Sequence, residues 1–315
     1  MPARRLHIGA RPTAFEGGAQ TRVFALIGHP VRDSLSPVFQ NAALRALGVD
    51  ATYVAVDVPS DEFSASMERV RRAACEGVLA GVNVTVPHKT RVVEHLDGLD
   101  AQARALDAVN TLCFAPSGDD VHVEGRNTDV DGIRAALDDA GVSMHGVAVV
   151  VVGAGGAARA AVWAALGAGA ASIGVVNRHP ERAEQLLAAL TSRATPAAQT
   201  VGCWAGGFDA LTPERLGTAR VLIQTTSLGL AAGDPSPVDL VPAAPELFVL
   251  ETIYQRETAL VRAAAGLGLR HADGRGMLVH QGAHALQAWT GLEAPVEVMK
   301  RSLKLPPHPE GLPHA

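Results

Sequence analysis

Apolar positions along this chain fall into short runs, separated by stretches in which they recur about once per helical turn. "RVFALIG", ending at Gly28, and "ATYVAVDV" at 51–58 are β-rich runs. Between them a helix is predicted from Ser36, with Pro37 in its first turn and Gly48 past its end. Phe63, Met67 and Val70 lie about one turn apart and predict an amphipathic helix over 60–75. "GVLAGVNVTV" at 77–86 reads as a third strand closed by Pro87. "AVNTLCF" and "VHVEG" flank the turn residues "APSGDD" as a hairpin.

From about Asn127 the pattern changes to alternating strands and helices. A helix from Asp129 is followed by the strand "GVAVVVVG", a helix from Gly155, the strand "ASIGVVN" and a helix from Pro180. Strands "RVLIQT" and "LFVLETI" complete this half, and two helices over 277–289 and 295–303 close the chain. Such alternation predicts an α/β fold with a parallel sheet covered on both faces. The segments "TSRATPAAQT" and "AAGDPSPVD" read as loops too short to be interdomain linkers.

Composition narrows the classes. At 315 residues, 48% apolar and 19% charged, the chain suits about two globular domains. A formal charge of −5 without a basic cluster argues against nucleic acid. No apolar run approaches the roughly 20 residues of a membrane span. The first twenty residues carry arginines but no signal-peptide core, so 1–20 reads as a flexible leader and 304–315 as a flexible tail. Cys75, Cys113 and Cys203 form no C-x-x-C pair, which fits a reducing cytoplasm.

"VVVVGAGGAARA" sets Gly153, Gly155 and Ala158 in a G-x-G-x-x-A turn between an apolar strand and a helix. Glycine permits the tight turn and close backbone approach, and the helix N-terminus offers free N–H groups to a pyrophosphate. The candidate cofactor residues here are Gly153, Ala154, Gly155, Gly156 and Ala157. NAD sites place a carboxylate at the end of the next strand. This chain has Asn177, Arg178 and His179, with Arg182 one turn later, and two guanidiniums suit a 2′-phosphate, so NADP is expected.

Among 27 Lys and Arg residues only Lys89, Lys300 and Lys304 are lysine. Arginine stays charged at any relevant pH, whereas lysine can give up and recover a proton. Lys89, in "NVTVPHK", is therefore a candidate acid/base, and a carboxylate beside it can orient it and share the transfer. Further candidates are polar residues in unexpected places: Ser34 and Ser36 at a helix entrance, Asn83 and Thr85 on one face of a valine strand, Asn110, Asn127, Asp129 and Gln281. Each has a structural alternative, Ser36 and Asp129 as N-caps, Asn83 at a bulge and Gln281 as solvated surface.

In order, "GHPVRDSLSP", "NVTVPHK", "DAVNTL", "GRNTD", "VGAGGAARA", "VNRHPER" and "GMLVHQGAHALQAWTG" resemble the shikimate dehydrogenase family, over about Thr21–Leu303. The resemblance implies a substrate domain over 21–126 completed by 277–303, a Rossmann NADP domain over 127–276, and a cleft between them. It implies reversible reduction of 3-dehydroshikimate to shikimate by NADPH, in aromatic amino-acid biosynthesis. Ser34 and Ser36 would hold the substrate carboxylate, and Asn83, Thr85, Asn110, Asp129 and Gln281 the ring hydroxyls. Lys89 and Asp129 would be the catalytic pair, Tyr254 would stand near the substrate, and Thr252 and Gly274 would line the nicotinamide site.

Several positions depart from the family pattern. His179 stands where Thr is usual, Asp107 where Gly is, and Glu251 where Asp is, while Gln224 and Thr225 replace Asn and Ala. A quinate or quinate/shikimate dehydrogenase is the alternative enzyme, disfavoured by Ser36 and by Asn177-Arg178. A non-catalytic NADP-binding regulatory paralogue is the alternative of another class, disfavoured by Lys89 and Asp129. His280 and His284 are four apart but flank Gln281 and have no evident third ligand, so no metal is expected. Oligomeric state is left open.

Overall fold

The computed structural model describes residues 4–196 and 198–305. The chain forms two compact units, one ending at Thr128 and resuming at Val279, the other spanning Asp129–Leu278.

The first unit opens on β1 (Arg4–Leu6) and β2 (Thr13–Phe15), an antiparallel pair where a loose leader was expected. Burial explains the difference. Leu6, Ile8 and Phe15 belong to the unit's apolar core. The Arg4 guanidinium lies 5.0 Å over the Phe15 ring and donates to the Gly18 and Thr21 carbonyls, so its stem covers apolar surface while its head is satisfied. Residues 1–3, the start of the expected leader, lie outside the described residues.

Next come β3 (Arg22–Gly28), α1 (Ser36–Ala46), β4 (Ala51–Asp57), α2 (Phe63–Cys75) and β5 (Leu79–Val84). A 3-10 turn at Arg91–His95 leads to β6 (Gly98–Leu99), α3 (Ala101–Leu106), β7 (Thr111–Ser117) and β8 (Asp120–Arg126). The sheet order is β4-β3-β5-β7-β8-β6, with β3 parallel to both neighbours and β7 antiparallel to both of its own. β3 is buried along its whole length after Arg22, as its unbroken apolar run requires. Phe63, Met67 and Val70 of α2 face that core as their spacing predicts. At α3, the Asp100 side chain accepts the Ala103 N–H as N-cap, and Asp107 ends the helix at φ 50°, ψ 42°. Glycine would enter that left-handed conformation without a Cβ penalty.

The second unit alternates strictly: α4 (Asp129–Asp139), β9 (Ala148–Val152), α5 (Gly156–Ala168), β10 (Ser172–Val176), α6 (Pro180–Arg193), β11 (Gly202–Gly206) and α7 (Pro213–Thr218). It continues with β12 (Ala219–Gln224), β13 (Phe248–Glu251), α8 (Ala259–Gly266) and β14 (Arg270–Ala272). All six strands are parallel, in the order β11-β10-β9-β12-β13-β14. Strand order reverses between β9 and β12, so a crevice lies beyond the carboxyl ends of these two strands. β11 and β14 are edge strands without an apolar run, which hid them in the sequence.

Finally α9 (Arg275–Thr290) returns the chain to the first unit, where α10 (Val296–Ser302) packs on α1. Trp289 stacks on Phe24 at 4.9 Å and its indole N–H donates to the Leu112 carbonyl at 2.9 Å, pinning α9 to the sheet. The tail from residue 306 lies outside the described residues.

Candidate active site

In the first unit, polar side chains gather where β5 and β7 pair. Asn83 and Thr111 are directly opposite in that pair. Asn83 is 5% exposed, and its NH2 donates to the Asn110 carbonyl at 3.0 Å and to Thr111 Oγ1 at 3.1 Å. Its oxygen accepts the Tyr53 hydroxyl at 2.8 Å. Asn83 thus braces the wall from behind, with both amide protons already engaged. Asn110 comes next: its oxygen accepts the Thr128 N–H at 2.8 Å and its NH2 reaches Gln281 Oε1 at 3.3 Å. Gln281, on α9 and distant in sequence, is therefore built into the wall and is not solvated surface. Asn127 stands apart, donating to the Ala108 carbonyl at 2.8 Å.

Lys89 and Thr85 sit in the turn that follows β5, both half-buried. The Thr85 N–H donates to the Ile27 carbonyl at 2.9 Å, and the Lys89 carbonyl accepts the Val109 N–H at 2.7 Å, so both ends of the turn are tied down. Between them His88 is fully buried, stacked on Phe63 at 4.1 Å, with Nε2 2.6 Å from the Val58 carbonyl. Burial pushes the His88 pKa down, so the ring is neutral and Nε2–H donates to Val58.

Ser34 and Ser36 form the entrance of α1. Ser36 is the first helical residue and the N-cap position is Leu35, which has no capping side chain, so Ser36 does not act as an N-cap. The Ser36 N–H donates to Ser34 Oγ at 3.2 Å, placing the two hydroxyl-bearing residues in one tight turn.

In the second unit, Gly153 ends β9 at φ 118°, and its N–H donates to the Val176 carbonyl. A Cβ at Gly153 would lie 2.5 Å from Thr225 Oγ1, so glycine is required by both conformation and space. Thr225 uses its N–H and its hydroxyl on the Val152 carbonyl, at 2.8 and 2.7 Å, locking the ends of β9 and β12 together. Gly155 is the extended N-cap of α5, and a Cβ there would meet no atom within 4 Å. Open space thus stands over the first free N–H groups of a 13-residue helix. Past β10, the Asn177 NH2 donates to the His179 carbonyl at 3.0 Å and shapes the entry to α6. Arg178 and Arg182 are exposed, and among the described residues neither guanidinium has a protein partner. His179 pairs loosely with Glu181 at 3.9 Å. The turn, the open N-terminus and the two guanidiniums fit an NADP diphosphate and 2′-phosphate.

Two buried clamps shape the loops at the ends of β12 and β13, and sequence reasoning saw in them only departures from a pattern. Gln224 Oε1 accepts the Thr226 N–H at 2.6 Å while its NH2 donates to the Leu228 carbonyl at 3.0 Å. Glu251 accepts the Ile253 N–H at 3.0 Å and the Thr258 hydroxyl at 2.9 Å. A Cβ on Gly274 would collide with the Thr252 carbonyl, so glycine there is what allows the two backbones to touch. Tyr254 follows on the same loop, half-buried. Asp129, buried, opens α4. The sequence signal that was available is polarity in apolar surroundings: Tyr53, Thr111, Thr128, Gln224 and Glu251 are all buried.

A parallel sheet with a glycine turn at its reversal point, joined to a second α/β unit carrying a polar wall, defines a two-unit dinucleotide-binding protein. Residues 26–112 match the shikimate dehydrogenase substrate binding domain, and residues 274–304 the shikimate 5′-dehydrogenase C-terminal domain. The shikimate dehydrogenase (NADP(+)) of Rubrobacter xylanophilus is 39% identical over 291 residues, covering 90% of this chain and 96% of that one. A crystal structure of shikimate dehydrogenase from Aquifex aeolicus is 31% identical with a TM-score of 0.79, over 91% of this chain and 99% of the other. The enzyme of Thermus thermophilus, solved with NADP(H) and shikimate, is 33% identical with a TM-score of 0.76, over 90% and 99%. The chain belongs to the shikimate dehydrogenase family.

Proposed function

We propose that this chain catalyses the reversible NADP-dependent interconversion of 3-dehydroshikimate and shikimate, with Lys89 and Asp129 as its proton-transfer pair. It is an oxidoreductase acting on a CH–OH group. The observation that carries the cofactor choice is the pair Arg178 and Arg182, exposed and unpartnered among the described residues where an NAD site would carry a carboxylate. Two cations there suit a 2′-phosphate, with Arg able to bind bidentately.

NADPH, when bound, supplies the hydride that the ketone carbon accepts. Lys89 Nζ gives its proton to the oxygen of that carbonyl as it becomes an alkoxide, and in the oxidative direction the amine takes the proton back. Asp129 orients the ammonium and shares the transfer. Ser34 and Ser36 donate hydroxyls to the substrate carboxylate; Thr85, Asn110 and Gln281 hold ring hydroxyls, with Asn83 fixing the wall behind them. Tyr254 is a further candidate for substrate contact, and Gly274 and the Thr252 backbone are the residues that would line the nicotinamide site. Gly153 through Ala157 take the diphosphate, and Asn177, Arg178, His179 and Arg182 the adenosine ribose phosphate. We place this activity in the cytoplasm, in keeping with the three free cysteines. No helix among the described residues is long and apolar enough to cross a membrane.

Steady-state oxidation of shikimate and of quinate, each with NADP and with NAD, tests the reading. Shikimate with NADP is expected to give the highest kcat/KM. Oxidation of neither alcohol would overturn the enzyme assignment, and quinate with NAD as the best pair would overturn both substrate and cofactor.

A further inference from the structure

The turn between β3 and α1 carries Ser34 and Ser36, and a chain of bonds enters it from a residue on another strand. Asp57 ends β4 directly opposite Gly28, the last residue of β3. Its Oδ1 accepts the Val31 N–H at 3.3 Å, and its Oδ2 accepts from His29 Nδ1 at 2.9 Å. The Val31 carbonyl accepts the Ser34 N–H at 3.1 Å, and Ser34 Oγ accepts the Ser36 N–H at 3.2 Å. Each bond fixes the next, from the Asp57 carboxylate to the first residue of α1. Among the described residues, Asp57 is the only residue outside 28–36 whose side chain is hydrogen-bonded to this turn. The main chain ties only its start, through the His29 N–H on the Val86 carbonyl and the Gly28 carbonyl under the Val58 N–H. The Val31 side chain is buried, but burial has no direction, whereas a hydrogen bond does. Among the described residues neither serine hydroxyl has a protein acceptor for its proton, although Ser36 is only 5% exposed.

We infer that Asp57 is a positioning residue for the substrate carboxylate: through Val31 it sets the turn that aims the Ser34 and Ser36 hydroxyls. The inference rests on the reading of those two serines as carboxylate-binding residues. It gives Asp57 no contact with the ligand. The side chains of His29 and Asp57 are 48% and 51% exposed, and a pair this open to water adds little to folding. What Asp57 contributes is the directed bond to Val31. A hydroxyl donor that drifts off line loses much of its bond, because hydrogen bonds weaken steeply with angle. Lys89 lies in a different turn, tied through its carbonyl to the Val109 N–H. The signature of losing Asp57 is therefore weaker substrate binding without slower chemistry.

Steady-state kinetics of Asp57→Ala, Asp57→Asn and His29→Ala test this. Asp57→Ala removes the acceptor of the Val31 N–H and is expected to raise the shikimate KM about fivefold. Its kcat and NADP KM are expected to stay within about twofold of the parent. Asp57→Asn keeps a carbonyl oxygen for Val31 and is expected to recover most of the loss. His29→Ala leaves the Val31 bond in place, and its shikimate KM is expected within about twofold of the parent. A parental KM in Asp57→Ala, no recovery in Asp57→Asn, or the full loss in His29→Ala overturns the inference. Coupling to the serines is the sharper measurement. If Asp57 acts through them, adding Asp57→Ala to the Ser34→Ala/Ser36→Ala variant lowers kcat/KM by less than about twofold further. An equal loss in both backgrounds overturns the inference. Should the parent neither oxidise nor bind shikimate, the proposed function fails by itself, and hydrogen exchange decides the role of Asp57 without a ligand. Amides of residues 31–36 are then expected to exchange faster in Asp57→Ala than in the parent and in Asp57→Asn, with the second unit unchanged. Equal exchange in all three overturns the inference.

Discussion

Glu251 Oε2 accepts the Thr258 hydroxyl at 2.9 Å, and this bond closes the loop that follows β13 on itself. The other oxygen holds the Ile253 N–H at 3.0 Å, so one fully buried carboxyl fixes both ends of a loop that carries Thr252 and Tyr254. Thr258 completes the arrangement as N-cap of α8, its Oγ1 accepting the Val261 N–H.

Burial pushes the Glu251 pKa up to about 7, with Asp273 adding to the effect and the three hydrogen-bond donors opposing it. The native state therefore keeps a proton that the unfolded chain releases near the ordinary Glu value. Stability is highest below that ordinary value, falls as pH rises toward about 7, and is level above it. The full span is about 3 kcal/mol at most. Glu251→Gln keeps an acceptor for Ile253 and can donate to Thr258 Oγ1, and it has no charge to bury. Denaturant unfolding of both proteins at pH 5, 6, 7 and 8 is expected to show the parent losing stability relative to the variant as pH rises. Parallel curves would show that Glu251 does not titrate in this window.

Much of the second unit was legible from sequence because apolar runs and glycine punctuation report parallel βα units directly. β9, β10, β12 and the Gly153 turn all fall where the pattern places them. β11 and β14 were not, since an edge strand needs only backbone partners and "GCWAG" and "RHA" have no β-like run. The hairpin at Arg4–Phe15 escaped for a related reason: its three buried side chains, Leu6, Ile8 and Phe15, are too scattered to show a period. In the candidate site, types and spacing picked out Asn110 and Gln281 as polar residues. That they touch depends on tertiary packing of α9 against the wall, which no local pattern carries. Tyr53, Thr111 and Thr128 were passed over because each suits a strand or turn on its own merits.

Asp107 ends α3 in the left-handed region, with its side chain exposed and its N–H donating to the Ala103 carbonyl. Asp tolerates this conformation better than most residues, but glycine enters it without a Cβ penalty. Asp107→Gly is expected to stabilise the protein by up to about 1 kcal/mol, and Asp107→Val to destabilise it by at least that much. Equilibrium unfolding in urea measures both. Because the side chain points to solvent, kcat for shikimate is expected to change less than twofold. A large loss of kcat in the glycine variant would give the Asp107 carboxylate a part in the reaction that its exposure does not suggest.

Arg178 and Arg182 share one end of the second unit, beyond β10 and in the first turn of α6, and neither is held by a protein group among the described residues. Exposed guanidiniums without partners add nothing to folding, so replacing them tests binding without confounding stability. Arg178→Ala and Arg182→Ala are each expected to raise the NADP KM about 10- to 100-fold, as loss of a charge-assisted bond to a dianion implies, with melting temperature unchanged. The KM for NAD, which lacks the 2′-phosphate, is expected to move less than threefold in the same variants. The double variant should therefore lose most of its preference for NADP. Equal losses for NADP and NAD would mean that these side chains act on a part the two dinucleotides share. Unchanged KM values for both would mean that they lie in solvent beside the cofactor, and that the 2′-phosphate is recognised elsewhere on the unit.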